Sequence, residues 1–153
     1  MNKCISLSIE TSLNRIYLVI IKNNENYSLL KEKIVSVEID LNVLIDKLMK
    51  KARIKFADLD IIFVSLGPGS FTGTRVGIAA AKAISVTTGK KIIGYSNFDT
   101  IYYSVIKEDH KYLDQELDIL IKANKLSYYT QRIKNKKYTS KAKVINFQKL
   151  TEE

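Results

Sequence analysis

The chain has 153 residues, 46% of them hydrophobic and 27% charged, with a formal net charge of +9. That length can bury about two-thirds of the unfolded surface, enough for one real core. No apolar stretch approaches the ~20 residues of a membrane helix, the start has no signal-peptide pattern, and the lone Cys4 excludes both an internal disulfide and a Cys/His metal spacing. A soluble cytoplasmic domain is the expectation.

In chain order, residues 3–9 read as a buried first strand, and Arg15 to Lys22 as an apolar second one (Ile16, Leu18, Val19, Ile20, Ile21). Asn23-Asn24-Glu25-Asn26 is a polar hairpin turn, and Tyr27 to Glu38 is expected to pair back as a third strand. Asp40 is the expected N-cap of a first helix. Leu41, Leu44, Ile45, Leu48 and Ala52 then mark one helical face. Leu59 to Leu66, nearly all apolar, reads as a parallel strand covered on both sides. A glycine loop leads into a second helix, Thr74 to Thr88, closed by Gly89. Ile92 to Tyr95 is a short strand and Asn97 to Ile106 a third helix, with Phe98, Ile101, Tyr102 and Val105 on one face. Glu116–Ile121, Leu126–Ile133 and Lys143–Phe147 suggest a closing meander with turns at Ala123-Asn124 and Asn135-Lys136.

The loop Gly67-Pro68-Gly69-Ser70-Phe71-Thr72-Gly73-Thr74-Arg75-Val76-Gly77 holds four of the six glycines and the only proline. Strand, tight turn, helix is its local reading. Three roles compete: a phosphate cradle at a helix N-terminus, an elbow for close helix–sheet packing, and a nucleophile turn at Ser70. The Walker A spacing fails because Thr-Arg follows Gly73, and the dinucleotide fingerprint fails because three residues separate Gly69 from Gly73. The nucleophile turn lacks its second glycine, and His110 is the only histidine.

Within the second helix Gly73, Gly77, Ala81 and Ser85 recur every four residues. A small-residue stripe serves either tight packing on the parent sheet or a docked partner helix. Charge is equally uneven. Residues 122–149 hold nine basic and no acidic side chains, with Tyr128, Tyr129 and Tyr138 interleaved. That is either a solvated edge or a surface for RNA, with Lys134, Lys136, Lys137 and Lys141 as candidate contacts.

Ser65-Leu66-Gly67-Pro68-Gly69-Ser70-Phe71-Thr72-Gly73-Thr74-Arg75-Val76-Gly77 resembles the signature of the TsaB (YeaZ) family, and Ser6-Leu7-Ser8-Ile9-Glu10-Thr11-Ser12 resembles its opening strand. The resemblance runs through roughly residues 3–135. It implies an α/β, actin-like (ASKHA, RNase H-like) first lobe over 1–110, with a mixed five-stranded sheet and helices. It also implies a truncated, β-rich second lobe over 111–153 bearing the basic meander. The implied role is the non-catalytic partner of TsaD, which performs the transfer in making threonylcarbamoyladenosine on tRNA. A TsaE-like ATPase joins the pair, and the chain meets tRNA through the complex. No cofactor is expected of the chain itself; ATP and Mg²⁺ act at the level of the complex. No membrane is involved, and a homodimer in isolation is left open.

The family's dimer contact implies helices 40–53 and 74–88 here, with Val43, Met49 and Ile54 as contacts on the first and Gly73, Gly77, Ala81 and Ser85 on the second. The alternative is a small autonomous actin-like nucleotide hydrolase or kinase, using Glu10, Thr11 and Ser12 with Gly67, Gly69, Ser70 and Gly73 around a phosphate. Departures from the family weaken that alternative. Glu10 stands where an Asp is usual, and Ile121-Lys122-Ala123-Asn124 stands for Ile-Asp-Ala-Arg. A cleft with one short wall is expected to bind nucleotide weakly or not at all.

Overall fold

The computed structural model describes residues 4–146. Residue 3 and residues 147–153, which the ranges of the sequence reading include, lie outside the described residues. By its contacts the chain divides into two units, Met1–Tyr95 and Ser96–Glu153, which group the third helix with the strands that follow it.

The first unit is built on a five-stranded sheet of order β3-β2-β1-β4-β5. Its strands are β1 (Ser6–Glu10), β2 (Ile16–Lys22), β3 (Glu25–Lys31), β4 (Ile61–Ser65) and β5 (Lys91–Tyr95). The first three run antiparallel, whereas β4 and β5 lie parallel to β1. This mixed order is that of the RNase H-like, actin-like fold. Although β2 is apolar from Ile16 to Ile21, it alternates in the fold: Ile16, Leu18 and Ile20 are fully buried while Tyr17 and Ile21 face outward. The β2–β3 turn is Asn23-Asn24, both at positive φ (52° and 67°). Asparagine tolerates that conformation, and a two-residue turn with two positive φ values matches the twist of the hairpin.

Helices α1 (Val37–Ala52) and α2 (Phe71–Thr88) cover one sheet face. Leu41, Ile45, Leu48, Met49 and Ala52 of α1 and Ala81 and Ile84 of α2 share a core with Leu7, Ile9, Ile16, Leu18, Ile20, Leu59, Ile62 and Val64. Each fully buried Leu or Ile there contributes about 1.5–3 kcal/mol.

The entry to α1 differs from expectation. The third strand stops at Lys31, and Ser36, not Asp40, caps the helix, its Oγ accepting from the Ile39 N–H (3.4 Å). Asp40 sits inside the first turn. Its carboxylate accepts from Lys31 Nζ (2.6 Å) and from the Val35 N–H (3.1 Å), tying the end of β3 to the helix. Alternation through Ile34-Val35-Ser36-Val37-Glu38-Ile39 imitates a strand, but a serine cap followed by acidic residues wins locally.

In the second unit α3 (Asn97–Glu108), capped by Ser96, buries Phe98, Tyr102 and Ile106. It packs against a sheet of β6 (Leu117–Lys122), β7 (Ser127–Lys134), β8 (Lys137–Tyr138) and β9 (Lys143–Asn146). Strands β6 and β7 are antiparallel, pairing Leu117 with Ile133 and Ile121 with Tyr129. Ile119, Ile121 and Ile133 are buried, while Leu120, Lys122 and Arg132 are exposed. Strand β8, too short to show any periodicity, is absent from the sequence reading.

Candidate functional site

The glycine loop starts where β4 ends. Gly67 adopts φ +84°, a conformation that glycine enters without a Cβ penalty, and its N–H donates to Ser65 Oγ (3.1 Å). Ser70 then caps α2, its Oγ accepting from the Gly73 N–H (3.2 Å) and its carbonyl from the Thr74 N–H (2.9 Å). The loop is stitched to the residues that follow β1. Ser70 N–H donates to the Ser12 carbonyl (2.6 Å), and Thr11 Oγ1 donates to the Gly73 carbonyl (2.7 Å).

The glycines make this closeness feasible. A Cβ at Gly69 would collide with the Ser12 carbonyl, one at Gly73 with the Thr11 carbonyl, and one at Gly77 with Thr11 Oγ1. The two main chains touch because the loop carries no side chain where it crosses Thr11 and Ser12. The sequence thus placed Glu10, Thr11, Ser12, Gly67, Gly69, Ser70 and Gly73 in one group, and the fold brings them together.

Glu10 is only 7% exposed. Its Oε1 accepts from Ser12 N–H (2.5 Å) and Ser12 Oγ (2.7 Å), and Ser12 Oγ lies 3.3 Å from Ser65 Oγ. Among the described residues its Oε2 is buried without a hydrogen-bond partner. Nearby, the Tyr95 hydroxyl donates to the Ile9 carbonyl (3.5 Å). Burial, and then the negative charge of Glu10, pushes the Tyr95 phenol well above its ordinary value. Beside the loop a cleft of about 300 Å³ is lined by Thr11, Asn14, Glu32, Ile34, Val35, Val37 and Ser70.

The residues expected at a partner interface separate into two sets. Gly73, Gly77 and Ala81 are buried against their own sheet, and Met49 is 4% exposed in the same core. Ser85 is half-buried, with its Oγ donating to the Lys90 carbonyl (2.6 Å). For these five the docked-helix reading is corrected: the stripe packs on its parent sheet. Met49 joins it because the apolar face of α1 is wide enough to take both Leu48 and Met49. Val43, 61% exposed, does stand on the surface.

Around Val43 lies a surface that the sequence reading missed. Ile39, one turn before Val43 on α1, and Phe56 are exposed. A groove of about 240 Å³ runs between α1 and α2, lined by Asn42, Ile45, Asp46, Phe56, Ala80, Ala83 and Ile84. The available signal was Ile39 and Val43, two apolar residues four apart and off the core-facing stripe. In the other unit Lys134, Lys136, Lys137 and Lys141 are all exposed.

Residues 37–151 match the family described as "TsaD: tRNA N6-adenosine threonylcarbamoyltransferase". The chain belongs to that family. Several individual relatives matched over most of the chain are TsaB proteins. A TsaB of Buchnera aphidicola subsp. Schizaphis graminum is 29% identical over 119 residues, 78% of this chain and 55% of that protein. A tRNA N6-adenosine threonylcarbamoyltransferase of Lawsonia intracellularis is 38% identical over 73 residues, 47% of this chain and 21% of that protein. Among solved structures, YeaZ from Pseudomonas aeruginosa superposes with a TM-score of 0.75 at 15% identity, covering 93% of this chain and 67% of that one. The chain therefore spans about half the length of the TsaB relatives it matches and about a fifth of the transferases. The resemblance to TsaB holds, and so does the actin-like fold. Among the described residues no helix is long and apolar enough to cross a membrane.

Proposed function

We propose that the chain is a TsaB-like, non-catalytic subunit that binds and supports a TsaD-like subunit in threonylcarbamoyladenosine modification of tRNA. The observation that carries this reading is the self-contained glycine loop. The N–H groups of Gly67, Ser70, Gly73 and Thr74 are taken by Ser65, Ser12 and Ser70, and the space a phosphate would enter beside Gly69 and Gly73 holds the main chain of Thr11 and Ser12. Such a loop braces α2 against β1. Bracing keeps the outer surface of α1 and α2 rigid, and a rigid apolar surface binds at lower entropic cost.

The partner then sits on the exposed Ile39, Val43, Phe56 and Ala83 and over the groove between the helices. ATP and Mg²⁺ belong to the TsaD-like and TsaE-like members, and tRNA is met within the complex. The test is reconstitution of tRNA threonylcarbamoylation from TsaD-like and TsaE-like proteins of the same source, with and without this chain. Modification should depend on the chain, and Glu10→Gln should support it as well as the wild type. ATP hydrolysis by the chain alone, lost in Glu10→Gln, would contradict the reading and promote the autonomous hydrolase.

A further inference from the structure

The tip of the β7–β8 hairpin contains two local conflicts that folding alone does not require. The turn is Asn135-Lys136, with both residues at positive φ (49° and 62°). Asparagine is at home there. The second position of such a turn strongly favours glycine, and a lysine Cβ is disfavoured in it. The residues that close the turn, Lys134 and Lys137, sit directly opposite each other in the strand register. Like charges so placed repel.

The hairpin nevertheless is held firmly within its unit. The Lys136 N–H donates to the Tyr102 hydroxyl (3.0 Å), which reaches on to the Leu113 carbonyl (3.5 Å). With its side-chain amide turned so that the nitrogen faces these acceptors, Asn135 donates to the Leu113 carbonyl (2.8 Å) and the Asp114 carboxylate (3.2 Å). The Tyr138 hydroxyl donates to Asp99, and burial together with that bond pushes its phenol up to about 12. A lysine edge that is merely solvated needs no such anchoring.

The charge is also unbalanced locally. Residues 122–146 contain no Asp or Glu. Their one arginine, Arg132, is held by Asp118 (2.8 Å) and Glu116 (3.6 Å). Among the described residues none of Lys122, Lys134, Lys136, Lys137, Lys141 and Lys143 lies within ion-pair distance of a carboxylate, and all six are exposed. Conflicts between local preference and the fold concentrate at functional positions. An anion seated between Lys134 and Lys137 would relieve both the repulsion and the uncompensated charge.

We propose that this hairpin is a docking surface for the phosphate backbone of a structured RNA, with Lys134, Lys136 and Lys137 at its tip, Lys141 on the connection that follows β8 and Lys143 at the start of β9. The inference rests on the reading that the chain serves tRNA modification, and it adds direct contact to contact through a partner. Because the contacts are to phosphate, binding should be sequence-tolerant and steeply salt-dependent.

The experiment is fluorescence anisotropy of labelled tRNA with the full chain alone, across a salt series. Its variants are Lys134→Gln/Lys136→Gln/Lys137→Gln and a control, Lys33→Gln/Lys47→Gln/Lys91→Gln, which removes the same charge from exposed positions of the other unit. Circular dichroism checks the fold of each, and co-elution with the TsaD-like subunit is recorded on the same samples. The hairpin variant should bind tRNA about tenfold more weakly at low salt, with a salt slope lower by about two to three. The control should stay close to wild type. Equal losses in the two variants, or no tRNA binding by the wild type, would overturn the inference. So would equal binding of anionic phospholipid vesicles that compete with tRNA. Failure with intact co-elution sinks only the RNA surface. Loss of co-elution by the wild type counts against the subunit role, whatever the RNA result.

Discussion

At the scale of single residues the glycines divide by what a Cβ would meet. Gly73 faces the Thr11 carbonyl, which is main chain and cannot turn aside, whereas Gly89 has open space and only its φ of +70° to defend. Gly73→Ala should therefore cost about 3 kcal/mol as overpacking, and Gly89→Ala about 1 kcal/mol as backbone strain. Urea unfolding of the two variants measures the difference, and equal losses would refute the crossing as the reason for the glycine. Glu10 offers a second contrast. Glu10→Ala removes the acceptor of the Ser12 N–H and hydroxyl and should cost about 1–3 kcal/mol. Glu10→Gln keeps an acceptor, removes a buried charge and should be no less stable than wild type. The glycine run was legible as a shaped turn because four glycines and the only proline cluster between an apolar strand and a helical run. What it wraps was not legible, since the contact to Thr11 and Ser12 joins residues about sixty positions apart and leaves no periodic trace.

At the scale of elements, strands and helices with strong periodicity could be read from the sequence. Strand β2, the helix ending at Gly89 and the hairpin turn at Asn135-Lys136 fall where the pattern put them. The start of α1 did not, because Ile34 to Ile39 alternates like a strand while Ser36 offers a cap. Ser36→Ala should lower stability by about 1 kcal/mol, as loss of an N-cap does; denaturant midpoints with an unchanged m-value would establish it. Asp40, displaced from the cap, has a different role with a pH signature. The hydrogen bond from Lys31, aided by the Val35 N–H, holds its carboxyl below the ordinary 3.8. A carboxylate depressed in the folded state stabilises above its unfolded value, and that contribution disappears as the pH falls through the folded value. Thermal unfolding should thus show wild type losing stability below about pH 4 more steeply than Asp40→Asn. Parallel curves would mean that the Lys31 contact contributes nothing.

At the scale of the whole molecule, the small-residue stripe and the exposed apolar surface are two faces of one arrangement. The stripe lets α2 sit close to β1, and Ile39, Val43, Phe56 and Ala83 lie outside, uncovered among the described residues. The family resemblance assigns a partner interface to these two helices. The side that faces out was not legible, because small residues at four-residue spacing read alike whether they meet a sheet or another helix. Substituting the stripe would therefore damage the fold before it reported on binding, and the informative positions are the exposed ones. The central claim is that this surface carries a TsaD-like subunit. It is tested most directly by calorimetric titration of the chain into the TsaD-like protein of the same source, alongside Val43→Asp and Ala83→Glu. The account predicts a one-to-one complex for the wild type and, for each variant, at least about tenfold weaker binding with an unchanged unfolding midpoint, as expected for a charge placed in a desolvated contact. Undiminished binding by both correctly folded variants would contradict it.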